Sequence, residues 1–162
     1  DCMEMIRLAF FDVDGVLSAP EYRDQGEAVI CFTEEGWQHW CEEEEEAGYR
    51  YCKPLPPVRT FAEERKKDWS RLFVLTATAG ELETKAKVVF VREHYPALFE
   101  AVIPVSHENQ KVAVIREMAK ENGIPLAQCM LVEDTLATLL KAHDAGICAV
   151  HVSNIFAGNV SG

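Results

Sequence analysis

Arg7-Leu8-Ala9-Phe10-Phe11-Asp12-Val13-Asp14-Gly15-Val16-Leu17-Ser18 is the stretch on which the fold turns. Leu8 to Phe11 are four consecutive apolar residues. A short run of this kind fits a strand covered on both faces, as in a parallel sheet. It stops at two aspartates and a glycine. Carboxylates are costly beside an apolar sheet unless paired or bound to a cation. In open α/β sheets, ligands sit beyond the carboxyl ends of the strands. Asp12 and Asp14 therefore mark a candidate site, although Asp and Gly are also ordinary turn residues.

The remaining chain supplies the frame. Buried strands are expected over residues 7–12, 72–76, 101–105, 130–133 and 147–152. Residues 81–94 carry Leu82, Ala86, Val89 and Phe90 at helical spacing. Residues 111–122 carry Val114, Ile115, Met118 and Ala119, and Gly123 and Pro125 follow as stop signals. Residues 135–144 carry Leu136, Leu139 and Leu140, with Asp134 or Thr135 as N-cap. Strands alternating with helices of this length predict an α/β fold, a doubly wound parallel sheet with helices on both faces. At 162 residues the chain reads as a single domain.

Residues 19–57 break the alternation. Two short extended stretches flank Arg23–Glu27 and read as a β-hairpin flap over the end of the first strand. Two helical stretches, 34–48 and 58–70, are separated by Pro54, Pro56 and Pro57. Glu42 to Glu46 are five successive glutamates after Trp37 and Trp40. They read as a solvated helix face, with a partner-subunit surface as the alternative. The insert is expected to act as flap and small lid rather than as a separate domain.

Composition narrows the function. A net charge of −11 argues against nucleic-acid binding, which needs cations on phosphate. It leaves room for a phosphorylated small substrate, because a metal ion reverses the local field. No apolar stretch is long enough for a membrane span. The first residues lack a signal-peptide pattern, so a cytoplasmic protein is expected. The six cysteines form no C-x-x-C, and Cys129 and Cys148 read as small core residues. His39, His94, His107, His143 and His151 have no metal-ligand spacing.

On a parallel sheet, Asp12, Asp14, Thr76, Lys111, Glu133 and Asp134 all fall at one edge. Their chemistry is complementary. An ionised Asp12 can attack phosphorus without a base, and Asp14 can give a proton to the leaving oxygen. Clustered carboxylates around a phosphate call for a hard cation with oxygen ligands, Mg2+. Asp12 and Asp134 are the natural side-chain ligands, Glu133 assists, and Asp14 belongs to the same metal-binding loop. Thr76 offers a hydroxyl and an amide to a phosphoryl oxygen. Lys111 offers a point charge. Each of Thr76, Lys111 and Glu133-Asp134 has an ordinary alternative as strand cap, surface lysine or helix-dipole acid. Their joint order on this scaffold favours the site.

Asp12-Val13-Asp14-Gly15-Val16-Leu17, Thr76, Lys111 and Glu133-Asp134 resemble the four motifs of the haloacid dehalogenase (HAD) superfamily, in its small-cap or capless phosphatase branch. The resemblance runs from Leu8 to about Val152. It implies a Rossmann-like core and a Mg2+-dependent phosphoric monoester hydrolase working through a phosphoaspartate on Asp12, with Asp14 as general acid and base. The chain departs from many members at Thr138, where they carry a further acid. Asp12–Ser18 with Gly26-Glu27, Phe32 and Gly36 is also similar to the start of the tetrameric, capless KDO-8-phosphate phosphatases. Thr76-Ala77-Thr78 and Glu133-Asp134-Thr135 depart from that group, so its substrate is not carried over. The site is expected to be open, or closed by a small lid or a neighbouring subunit of a homo-oligomer; an open site suits large substrates such as phosphoproteins. Two other functions compete: a phosphotransferase or mutase acting on a sugar phosphate, and a receiver-like phospho-signalling module. The second places its phosphorylated Asp on a middle strand, whereas Asp12 ends the first.

Overall fold

The computed structural model describes residues 5–19, 23–24, 27–28, 33–35, 49 and 52–159. Five strands form one parallel sheet: β1 (Leu8–Phe11), β6 (Arg71–Ala77), β7 (Val102–Val105), β8 (Cys129–Glu133) and β9 (Cys148–His151). Their order is β7-β6-β1-β8-β9, with β1 central. Each predicted strand is present, with ends shifted by one residue or so. The helices are α1 (Pro56–Lys67), α2 (Glu81–His94), α3 (Lys111–Glu121), α4 (Leu136–Asp144) and the short α5 (Val152–Phe156), which the sequence pattern did not announce.

Strand β1 is covered on both sides, and its side chains alternate between two cores. Ala9 and Phe11 pack with Val58, Phe61, Ala86, Phe90 and Ile155 from α1, α2 and α5. Leu8 and Phe10 pack with Ile115, Ala119 and Ala142 from α3 and α4. The period of two along the strand thus feeds both faces, which is why the run shows no polar alternation. Pro56 and Pro57 do more than separate helices. They occupy the first turn of α1, where a missing amide costs nothing.

The helix faces differ from the expected ones. In α2 the buried residues are Glu83, Ala86, Lys87, Phe90 and Val91. Leu82 and Val89 are exposed, as are Leu136 and Leu140 on α4. The α2 stripe is rotated so that two charged residues point inward. Apolar spacing alone could not find that face.

The insert is tied down at its base. β2 (Ser18–Ala19) pairs antiparallel with β5 (Lys53–Pro54), and β3 (Arg23–Asp24) with β4 (Glu27–Ala28). The expected pairing is present, but three of its four paired residues, Arg23, Asp24 and Glu27, lie within the stretch expected as the polar turn, and only Ala28 falls in a flanking stretch. Of the 34–48 helix only Glu34 and Glu35 are described, and they are helical. Trp37, Trp40 and Glu42 to Glu46 lie outside the described residues.

Cys129 is a buried free thiol, as its apolar run implies. Cys148 is also buried but disulfide-bonded, so its reading as simply a small core residue is incomplete. Among the described residues no helix is long and apolar enough to cross a membrane.

Tyr95 connects the core to the site loop. Its buried hydroxyl donates to the Leu17 carbonyl and accepts from the Leu55 amide at 3.1 Å. Tyr95→Phe leaves both backbone groups without that partner. It is expected to cost about 1–3 kcal/mol, read as a lower denaturation midpoint at unchanged m-value.

Candidate active site

The loop after β1 is wound tightly around one carbonyl. The Val13 oxygen accepts from the amides of Val16, Leu17 and Ser18. The Asp12 amide is anchored to the Val132 carbonyl of β8, and Asp12 Oδ1 accepts from the Val13 amide at 2.8 Å. Gly15 has φ +77°, a conformation that side chains resist. It also faces Asp134 so closely that a Cβ would lie 2.3 Å from Asp134 Oδ2. Both demands explain why a glycine follows the second aspartate.

Parallel register brings the predicted residues together. Phe11 of β1 lies level with Val74 of β6 and Val132 of β8. Asp12, Thr76 and Glu133 therefore project from neighbouring strand ends. Carboxylate oxygens of Asp12, Glu133 and Asp134 lie within 4.8 Å of one another. The expected metal set also included Asp14. Its carboxylate is outside this trio, held instead by Tyr49 and Lys87: the Tyr49 hydroxyl donates to Oδ1 at 2.7 Å, and Lys87 Nζ lies 3.0 Å from Oδ2.

Lys111 is fully buried against the acids. Its Nζ lies 2.6 Å from Glu133 Oε2, 3.0 Å from Glu108 Oε1 and 3.4 Å from Asp12 Oδ2. Burial works against its charge, but the carboxylates of Asp12, Glu133 and Glu108 more than offset that and hold the ammonium protonated. Glu108 comes from the short turn before α3 and was not foreseen. It is fixed by the Thr138 hydroxyl, which donates to its Oε2 at 3.0 Å. Thr138, the position at which this chain departs from the pattern it resembles, thus holds a carboxylate brought from another element.

A second buried lysine was also missed. Lys87 of α2 donates to Thr76 Oγ1 at 2.9 Å and to the Ala77 carbonyl at 2.8 Å, besides contacting Asp14. Glu83, one turn earlier, lies 3.5 Å away and accepts from the Ala79 amide. The one sequence signal was the Glu83–Lys87 spacing of four, ordinarily a surface pair.

Beyond Asp14 opens a cavity of about 560 Å³ lined by Glu34, Ala77, Thr78, Ala79, Glu83, Ser106 and His107. His107 is exposed and stands at its wall. A larger hollow of about 750 Å³ lies between α1 and the end of α2, around Arg59 and Tyr95, and includes none of the site carboxylates.

The carboxylate trio fits a hard cation. Burial, and then the Asp12 charge, push the Glu133 carboxyl up to about 9, with Lys111 only partly opposing them. Between its ordinary value of 4.5 and about 9, folded Glu133 keeps a proton that the unfolded chain has lost. Without a cation, stability from this group therefore falls as pH rises through that window. A cation held there displaces the proton.

The sequence matches no family model and no curated protein. Solved structures do match. A haloacid dehalogenase-like family hydrolase from Streptococcus pneumoniae shares 18% identity at a TM-score of 0.65, over 90% of this chain and 83% of that one. CbbY from Rhodobacter sphaeroides, solved in complex with phosphate, shares 17% identity at a TM-score of 0.60, over 90% and 85%. The 3-deoxy-D-manno-octulosonate 8-phosphate phosphatase from Moraxella catarrhalis, solved with magnesium, phosphate and KDO, shares 20% identity at a TM-score of 0.53, over 90% and 67%.

Two outcomes follow from the site. Gly15→Ala pushes Asp134 away and is expected to weaken Mg2+ binding by roughly 10- to 100-fold, measured by calorimetric titration. In the parent protein, apparent Mg2+ affinity should rise with pH up to about 9, with proton release seen as a buffer-dependent binding enthalpy. On its strand order, on the convergence of Asp12, Thr76, Lys111 and Glu133-Asp134 at one edge, and on these neighbours, the chain has the fold of the haloacid dehalogenase superfamily.

Proposed function

We propose that the chain is a Mg2+-dependent phosphatase that hydrolyses a phosphate monoester through an aspartyl phosphate on Asp12. The observation that carries this reading is the pairing of two compartments on one strand end. Asp12 sits with the carboxylate trio and Lys111, whereas Asp14, two residues on, faces a separate cavity. The three neighbours named above, a hydrolase and two proteins solved with phosphate, support it.

In the first step an Asp12 carboxylate oxygen forms a bond to phosphorus. The bond from phosphorus to the ester oxygen breaks, and its electron pair leaves with that oxygen. Asp14 protonates the oxygen and an alcohol departs. In the second step Asp14 takes a proton from water as its oxygen attacks phosphorus. The bond from phosphorus to Asp12 breaks, which restores the carboxylate and frees inorganic phosphate. Lys111 and the Thr76 hydroxyl meet the charge on the phosphoryl oxygens. Asp12, Glu133 and Asp134 would hold Mg2+, which when bound offsets the charge shared by phosphate and carboxylates.

The organic part of the ester occupies the cavity next to Asp14. Among the described residues its lining includes three acids, Asp14, Glu34 and Glu83, and neither Arg nor Lys. That field disfavours a second anionic group. The insert, residues 19–57, serves as flap and small lid over this cavity, on its own or with a neighbouring copy. A phosphotransferase or mutase would use the same Asp12 but must exclude water.

With p-nitrophenyl phosphate, release of phosphate should need Mg2+, and Asp12→Asn should lower it by more than about 10³-fold. Full activity in Asp12→Asn would overturn the reading. Phosphate passing to an added sugar faster than to water would favour the transferase. In a panel of esters, phosphorylated sugar acids should give lower kcat/KM than neutral sugar phosphates of equal size.

A further inference from the structure

Lys87 is not among the residues through which the sequence announces the site, yet it is as deeply buried as Lys111, at 1% exposure. An ammonium has three protons to place. Lys87 has three close acceptors for them: Asp14 Oδ2 at 3.0 Å, Thr76 Oγ1 at 2.9 Å and the Ala77 carbonyl at 2.8 Å. Two of these belong to groups that touch substrate in the mechanism above. The third is the backbone where β6 ends and the cavity begins.

We propose that Lys87 is a positioning residue for the phosphatase reaction, holding the Asp14 carboxylate toward the leaving group and turning the Thr76 hydroxyl proton toward the phosphoryl group. The inference rests on the phosphatase reading. Its chemistry follows from donor and acceptor roles. Thr76 Oγ1 accepts from Lys87, so the hydroxyl keeps its own proton for another acceptor, and a phosphoryl oxygen at the strand end is one. Asp14 is held at both oxygens, by Lys87 at one and Tyr49 at the other. Its carboxylate is thereby kept out of the Asp12, Glu133 and Asp134 trio and at the wall of the cavity that takes the organic group.

Glu83 gives Lys87 a competing explanation as a buried ion pair that merely balances charge, since its Oε2 lies 3.5 Å from Nζ. The two roles differ in what they do to leaving groups. A proton donor matters most when the departing oxygen is basic. The value of kcat/KM reports the steps up to phosphorylation of Asp12, where the ester oxygen leaves.

The experiment compares phenyl phosphate with p-nitrophenyl phosphate, esters of similar size whose leaving groups differ in their need for a proton, at saturating Mg2+. Lys87→Met should lower kcat/KM for phenyl phosphate by on the order of 10²-fold and for p-nitrophenyl phosphate by much less. In an Asp14→Asn background the same substitution should add little further loss, because both changes remove one function. Equal losses on the two esters, no loss on either, or full additivity with Asp14→Asn would overturn the positioning role. Should Lys87→Met not melt cooperatively, Lys87→Gln is judged by the same ratios. A parent protein that hydrolyses neither ester with Mg2+ overturns the phosphatase reading itself. A parent protein active on both, with Lys87→Met losses equal on the two, overturns the positioning role alone.

Discussion

Carboxylates gathered at the end of a parallel sheet repel one another, and nearly every unusual feature of this chain can be traced to that repulsion. Asp12, Asp14, Glu83, Glu108, Glu133 and Asp134 surround a strand edge whose core is apolar. Two lysines, both essentially without solvent contact, sit among them. Lys111 takes Asp12, Glu133 and Glu108 on one side. Lys87 takes Asp14 and Glu83 on the other. The result is two charge clusters back to back, separated by the two-residue step from Asp12 to Asp14. Ion pairs of this kind are weak sources of net stability, because desolvation consumes most of the attraction. Removing one member is a different matter, since the others are left buried and uncompensated, at about 3–5 kcal/mol. Their arrangement is better understood as geometry held for chemistry than as glue.

That view also explains why two aspartates on one loop have such different surroundings. Asp12 and Asp14 are the same residue type, two positions apart. What separates them is the company each keeps. Asp12 faces carboxylates that only a cation or Lys111 can offset, whereas Asp14 is gripped at both oxygens by a phenol and an ammonium. Gly15 makes the separation possible by turning the chain through a left-handed conformation, and by leaving the space into which Asp134 presses.

The fold was largely legible from the sequence, and the reason is specific. Leu8 to Phe11 are apolar without alternation because both sheet faces are covered, and helices fall between the strands with visible stop signals. The positions at the strand ends were equally legible, since parallel register fixes which residues share an edge. What was illegible lay on helix faces. Leu82, Ala86, Val89 and Phe90 suggested one stripe for α2. The buried one is Glu83, Ala86, Lys87, Phe90 and Val91. A hydrophobic pattern treats charged residues as markers of solvent. Where charges point inward to serve a site, the inferred face rotates away from them. The same bias hid Glu108, whereas Thr138 looked like a missing acid only by comparison with the family pattern, and it is the residue that holds one. Tyr49 was hidden for another reason: its contact with Asp14 spans 35 residues and depends on how the insert folds back.

Tyr49 carries the last step of the argument. The insert leaves the sheet edge at Ser18 and returns at Lys53–Pro54, two points pinned together by a short antiparallel pair. Its ends are therefore fixed beside Asp14 whatever its middle does. A buried tyrosine from within it then touches Asp14 directly. On the phosphatase reading, the segment proposed as the lid thus also contributes to holding Asp14 in place. On that reading, substrate selection and the placement of Asp14 are joined through one phenol. On the same reading, a change in the insert that moves Tyr49 acts on leaving-group protonation as well as on binding.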